Sequence, residues 1–316
     1  MTDGYQALRT SAAWLDLAGR GRIMASGEDR ARLLHAMTTN HIQQLIPGQG
    51  CYAFFLSAQG RILSDAYIYC LSDRILIDVE PEQRERLLQH LDKFIIADDV
   101  TLEDVSDSLT AIGVEGPTAR EALAKLGAPI PEDACAISEW GERLVAKTSV
   151  TGAPGFRVFL PPGEKAGLIA QLGIPAAANE DVRVERLAHF QPRYGEDITE
   201  TTLPQETQLS HAIHFSKGCY LGQEIVERIR SRGHVNRLLT GVEIEGVDIP
   251  EPGTALTAAG TTVGEVTSAA YSPELRKIVA LGYMRAQAAK PGTKLMAGDR
   301  TAITIRAAGP AQTVEC

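Results

Sequence analysis

The densest run of reactive side chains is Lys217-Gly218-Cys219-Tyr220-Leu221-Gly222-Gln223-Glu224. A helix-like stretch follows, with Ile225, Val226 and Ile229 on one side, so Cys219 is expected on a turn just ahead of a helix N-terminus. Free amides and the positive end of a helix dipole favour a thiolate there, and Lys217 would add positive charge. The chemistry on offer is that of an ionised sulfur: redox, sulfur transfer or ligation of a metal. The plainer alternative is an inert buried cysteine beside a capping glutamate, because free cysteine most often serves as a small hydrophobe. Downstream, Arg228, Arg230, Arg232 and Arg237 form a local basic cluster suited to carboxylates, to RNA or to an acidic partner; the alternative is a solvated helix face. His211 and His214 stand three residues apart, but further metal ligands are not evident, and no metal site is expected. A Walker loop and a dinucleotide fingerprint are both missing.

KGCYLGQE resembles the signature of the YgfZ/GcvT-like folate-binding family, the relatives of the glycine-cleavage T-protein (aminomethyltransferase), and within it the YgfZ-like branch. Three further stretches are similar to family blocks in the same order: residues 33–69, 90–106 and 192–206. The resemblance implies parts arranged around a central channel that admits tetrahydrofolate or a one-carbon derivative. It carries Asp65 to the second acidic position of the T-protein's Gly-Gly-x-x-Asp-Asp turn, with Ser64 in place of the first acid. It makes Glu206 the acceptor for the pterin edge, and Arg193, Tyr194 and Arg228 candidate contacts of the folate. From the residues alone, Asp65 would be a solvated turn acid and Glu206 a surface acid. In the YgfZ-like branch the implied role is support of iron–sulfur cluster assembly or repair, with tRNA modification served through client enzymes. Partners would be iron–sulfur assembly proteins or those clients, and Cys219, Lys217 and Asp65 the chemically active set. The alternative is a folate-dependent one-carbon transferase working through Asp65; whether any reaction is catalysed stays open at this point.

Composition narrows the rest. The chain has 316 residues with 31 Lys and Arg against 40 Asp and Glu, a formal net charge of −9. That balance opposes broad charge-driven binding to nucleic acid or anionic membrane. Its five cysteines include no CxxC pair, as expected of a reducing, cytoplasmic setting rather than a disulfide framework. No apolar run approaches the ~20 residues of a membrane helix, and the first residues lack the apolar core of a secretory leader.

The elements that must position these residues read as an α+β chain. A strand at 22–26, a helix bearing Leu33, Leu34 and Met37, strands at 52–57, 65–71 and 74–80, a helix opened by Pro81 and a strand at 100–105 make one round. Strands at 109–116, 143–148 and 156–160, with helices ending at Gly127 and Gly173, repeat it. Two ferredoxin-like units are expected, over roughly 20–106 and 107–215, with the signature segment 217–236 completing a first region 1–236. Glycine-spaced β runs across 237–316 predict a small antiparallel barrel.

Overall fold

The structure, a computed structural model, describes residues 2–307; Cys316 lies outside them. The chain opens with α1 (Asp3–Thr10) and β1 (Ala13–Asp16). Then β2 (Gly21–Ser26), α2 (Arg30–Met37), β3 (Gly50–Leu56), β4 (Ile62–Cys70), β5 (Ile75–Val79), α3 (Arg84–Asp92) and β6 (Thr101–Asp104) form a first unit. Its antiparallel sheet runs β3-β4-β5-β2-β6. A second unit follows with β7 (Thr110–Glu115), α4 (Ala119–Ala124), β8 (Ile137–Trp140), β9 (Arg143–Ala146), β10 (Gly155–Leu160) and α5 (Lys165–Leu172). Its sheet runs β8-β9-β10-β7-β1.

The two orders match position by position, so the repeat read in the sequence is structural. The second unit is closed by β1, which precedes the first unit and pairs with β7, Ala13 opposite Glu115 through Asp16 opposite Ile112. β1 therefore fills the place that β6 takes in the first sheet. β1 and β8 are the strands of these sheets that sequence patterning did not give. Pro81 opens a short 3-10 turn that runs into α3, and the helix stops at Asp92 instead of continuing the apolar stripe, leaving Phe94 39% exposed.

Each sheet buries its outer face under its own helices, Leu33, Leu34, Leu87 and Leu91 in the first unit and Leu123 and Leu168 in the second. The inner faces meet through Leu15, Tyr69, Leu76 and Phe159. Toward one end they part and leave a cavity. Beyond them come α6 (Asn179–Ala188), α7 (Gln223–Arg232) and six strands: β11 (Arg237–Ile244), β12 (Ala255–Ala258), β13 (Thr261–Ser272), β14 (Lys277–Arg285), β15 (Lys294–Ala297) and β16 (Arg300–Ala307). These strands close into an antiparallel barrel, β11-β14-β13-β12-β15-β16. Val184 and Leu187 of α6 pack on the barrel's Val279 and Leu281, and Asp197 accepts from Thr267 and Ser268 at 2.6 and 2.5 Å. No helix among the described residues is long and apolar enough to cross a membrane.

Candidate functional site

Between the sheets lies a cavity of about 820 Å³. That is within the range of sites that enclose a cofactor-sized molecule. Its wall from the first sheet is built by strand alternation: Tyr52 on β3 and Asp65 and Tyr67 on β4 all line it. Tyr52 stands opposite Tyr67 in the register, their ring centroids 5.0 Å apart. The Tyr52 hydroxyl donates to Asp65 Oδ2 at 2.6 Å. Asp65 is only 7% exposed. Burial, countered by the Tyr52 hydrogen bond and reinforced by Glu80, pushes its carboxyl up to about 6. A carboxyl poised there exists in both protonation states near neutral pH, which is what a group that accepts and returns a proton requires. His211 also lines the cavity, its ring 5.5 Å from that of Tyr52.

A relay of ion pairs fixes the polar walls. Arg157 of β10 is 1% exposed and pairs with Asp78 of β5, itself fully buried, tying one sheet to the other. Asp78 Oδ1 also accepts from Arg20 Nε at 3.1 Å, and Arg20 pairs with Glu80. Glu80 in turn accepts from Arg193 Nε at 2.9 Å. Burial lowers the Arg157 guanidinium to about 10, still charged at neutral pH, and the Tyr67 ring lies 5.2 Å beneath it. On the far side Glu196 holds Arg183 and Arg186, each at 2.8 Å. The 149–152 loop is anchored by Glu115, 1% exposed, which takes hydrogen bonds from Ser149, the Val150 amide and Thr151.

The signature segment sits elsewhere. Cys219 is exposed and does not line the cavity. It precedes Gly222, the residue that caps α7, by three positions, ahead of the helix as the spacing predicts. Lys217 turns inward: its ammonium donates to the carbonyls of His35 and Thr38 at the C-terminal end of α2, where a positive charge is favoured, and lies over the Tyr220 ring. Burial pushes it down to about 7. It thus holds the segment against α2, and its charge is engaged there. Three imidazoles surround this contact, His35, His41 and His214, with successive ring centroids 4.5 and 5.2 Å apart. No group of three or more His, Cys, Asp or Glu among the described residues has an arrangement that could hold a metal ion.

What links the signature to the cavity is glycine packing. Gly222 has φ +81°, and a Cβ there would stand 2.5 Å from the Ser57 carbonyl oxygen. Gly60, with φ +70° in the turn that leads to β4, would meet Ile225 of α7 at 2.7 Å. The two glycines let α7 lie directly on the turn that sets the strand of Asp65. Gly222→Ala is expected to lower stability by about 2–4 kcal/mol, from left-handed strain plus contact with backbone that cannot move aside. A urea midpoint within error of wild type would contradict this packing role.

The remaining residues named from the sequence divide. Arg193 lines the cavity, held to Glu80 and Glu82. Tyr194 is buried in the cluster with Tyr52 and Ile198, and its hydroxyl reaches the Ile62 carbonyl at 3.4 Å. Glu206 is 6% exposed but outside the cavity lining: it accepts from the Leu203 amide at 3.0 Å and from both arms of Arg237 at 3.2 and 3.3 Å. That network fastens a short helical turn to the barrel. Arg228 lies exposed on α7, away from the cavity. Arg230 covers Phe215, and Arg237 lies over Tyr283. The structure therefore gathers Asp65 and Arg193 at one site and sends Cys219, Lys217, Glu206, Tyr194 and Arg228 to others. Tyr52, Asp78, Arg157 and Glu115 went unread in the sequence. Their signal was a charged or hydroxylated residue inside an apolar strand, as in RILIDVE and FRVFL.

Comparison with known proteins gives a consistent answer across the chain. Residues 1–217 match the GCVT N-terminal domain, and residues 237–308 match the glycine cleavage T-protein C-terminal barrel domain. An aminomethyltransferase of Rubrobacter xylanophilus is 30% identical, over 89% of this chain and 78% of its own. One of Rippkaea orientalis is 29% identical, over 93% of this chain and 84% of its own. In fold, the crystal structure of the glycine cleavage system aminomethyltransferase T from Bartonella henselae matches with a TM-score of 0.87 at 21% identity, covering 96% of this chain and 87% of that one.

Proposed function

The chain belongs to the glycine cleavage T-protein family, and on that premise we propose that it is a folate-dependent one-carbon transferase whose reaction takes place in the cavity between the two sheets. The observation that carries this reading is Asp65, buried on the cavity wall, held by Tyr52, with a carboxyl that titrates near 6. The cavity residues suit a reduced folate. The tilted aromatic rings of Tyr52 and Tyr67 and the carboxyl of Asp65 together offer an aromatic wall with an acceptor for ring N–H groups. A bound reduced folate would supply the amine nitrogen that takes the one-carbon unit. Asp65 holds the proton exchanged at that site, on the oxygens of its own carboxyl. Tyr52 fixes the orientation of that carboxyl through Oδ2. The Arg157–Asp78–Arg20 relay keeps the wall rigid, and the sheets exclude bulk water.

The ionised carboxylate is the working form in this reading. Turnover per unit enzyme and substrate, kcat/KM, is therefore expected to rise with pH through about 6 and then to level. A pH–rate profile in an assay of methylene transfer from an aminomethyl donor to tetrahydrofolate checks it. A profile flat from pH 5 to 8 would remove Asp65 from the chemistry.

A second reading rests on one different observation, the exposed Cys219 within KGCYLGQE. In it the chain is of the YgfZ-like branch and serves iron–sulfur enzymes through that thiol, with folate bound in the same cavity. The readings separate on single variants. Loss of client iron–sulfur enzyme activity in a Cys219→Ala strain, with Asp65→Asn harmless, supports the second; the reverse pattern supports the transferase.

A further inference from the structure

On the face of the first sheet away from the Asp65 cavity lies a second, smaller hollow of about 200 Å³. Leu63 and Ser64 of β4 form its floor, and Gln83, Arg86, His90 and Lys93 stand around it. Arg86, His90 and Lys93 recur at helical spacing, so α3 and the residue that ends it turn one basic edge toward the hollow. No carboxylate lines it. The side chain of Glu200 pairs with Arg86, whose own side chain stays 45% exposed.

Two polar atoms here have no partner. Gln83 is 4% exposed, and its Oε1 is buried without a hydrogen-bond donor. His90 Nε2 is likewise buried and unpartnered, with the ring packed edge-on against Phe94 at 5.3 Å. Orphaned buried polar groups are costly and rare enough to call for an explanation. The surroundings specify what would satisfy them. Three cationic or donor side chains ask for anionic oxygens, while the Gln83 carbonyl asks for a donor. A hydrogen-bearing oxyanion offers both on one group, which neither a simple carboxylate nor sulfate does near neutral pH. The His90 imidazolium is disfavoured first by burial and then by Lys93 and Arg86, so cationic charge around the ring outweighs what Glu200 offsets at Arg86.

We propose that this hollow is a binding site for inorganic phosphate, placed back to back with the cavity of Asp65. Arg86, His90 and Lys93 bind the anionic oxygens, and Gln83 accepts from the P–OH. The floor residue Ser64 donates through Oγ to the main-chain carbonyl of Asp65 at 3.1 Å, so an occupant touches the strand that carries the cavity carboxyl. The site stands whether or not the cavity on the other face takes a folate.

The test is equilibrium binding of inorganic phosphate to the full chain, followed by phosphorus NMR line width at constant ionic strength, with sulfate as the matched anion. Saturable binding to wild type is expected, weakened by about 10-fold in each of Lys93→Ala and Gln83→Leu, with sulfate weaker than phosphate. Lys93 is exposed, so Lys93→Ala and the charge reversal Lys93→Glu give folded protein even if Gln83→Leu does not. Absence of saturable binding to wild type overturns the proposal. So does binding that Lys93→Glu leaves unchanged, or sulfate binding as tight as phosphate.

Discussion

Asp65→Asn is expected to cut one-carbon transfer by about 100- to 10,000-fold while making the protein more stable. The two effects have one cause. The carboxyl is 7% exposed and its ionisation is resisted by burial, from an ordinary value of 3.8 up to about 6. For an acid raised in the folded state, the unfolded chain releases its proton first as pH climbs. Stability is then at its highest below the unfolded value, falls between about 4 and 6, and stays low above that. A shift of this size corresponds to about 3 kcal/mol at pH 7. Asparagine keeps an oxygen to accept from Tyr52 and carries no charge, so the variant escapes most of that penalty. Thermal melts at pH 4.5 and pH 8 check the sign. The gain over wild type should be small at the lower pH and large at the higher. A variant less stable than wild type at pH 8, or one that still turns over at more than a tenth of the wild-type rate, contradicts the assignment.

The largest expected loss of stability follows removal of Asp78. Its two oxygens are shared between Arg20 and Arg157, and both Asp78 and Arg157 are essentially without solvent contact. Breaking one side of a buried pair leaves the other charge unmatched, at a cost of about 3–5 kcal/mol. Asp78→Ala should therefore lower the urea midpoint sharply. Asp78→Leu combined with Arg157→Met should recover much of the loss, because the unmatched charge goes too. The double variant recovers stability but not activity, since Arg157 lines the cavity. An Asp78→Ala protein within about 1 kcal/mol of wild type would show that Arg157 is not held by this partner.

Much of the fold was legible because its signals are local. Gly127 and Gly173 were read as left-handed helix ends, and both have positive φ, +76° and +60°. The Gly-punctuated tail closes into a barrel, and the repeated order of strands and helices gives two sheets of matching connectivity. What escaped was non-local. β1 has four residues, and it is a strand because β7, about a hundred residues later, offers an open edge. β8 is equally short and half-exposed, with no alternation long enough to register. Phe94 and Ile95 continue an apolar spacing that the helix does not follow.

The site divides along the same line. Asp65 was found through likeness to a family turn, not from its neighbours, since a turn acid at a strand start looks solvated in sequence. Tyr52 reads as one more aromatic in a buried strand, and only the pairing of β3 with β4 turns its hydroxyl to Asp65. Lys217 and Cys219 are two residues apart, yet one ammonium is buried on the end of α2 and the other side chain faces solvent. Sequence spacing carries no direction for side chains on a turn. Glu206 is an instance of the same limit: its partner Arg237 lies on the first barrel strand, and no local pattern announces that pairing.

The most direct measurement is an anaerobic calorimetric titration with tetrahydrofolate of wild type, Asp65→Asn and Cys219→Ala. The expected result is saturable binding to wild type, affinity reduced by about 10-fold or more in Asp65→Asn, and no change in Cys219→Ala. Failure of wild type to bind, or binding that ignores Asp65 and disappears with Cys219, would contradict a folate site between the sheets.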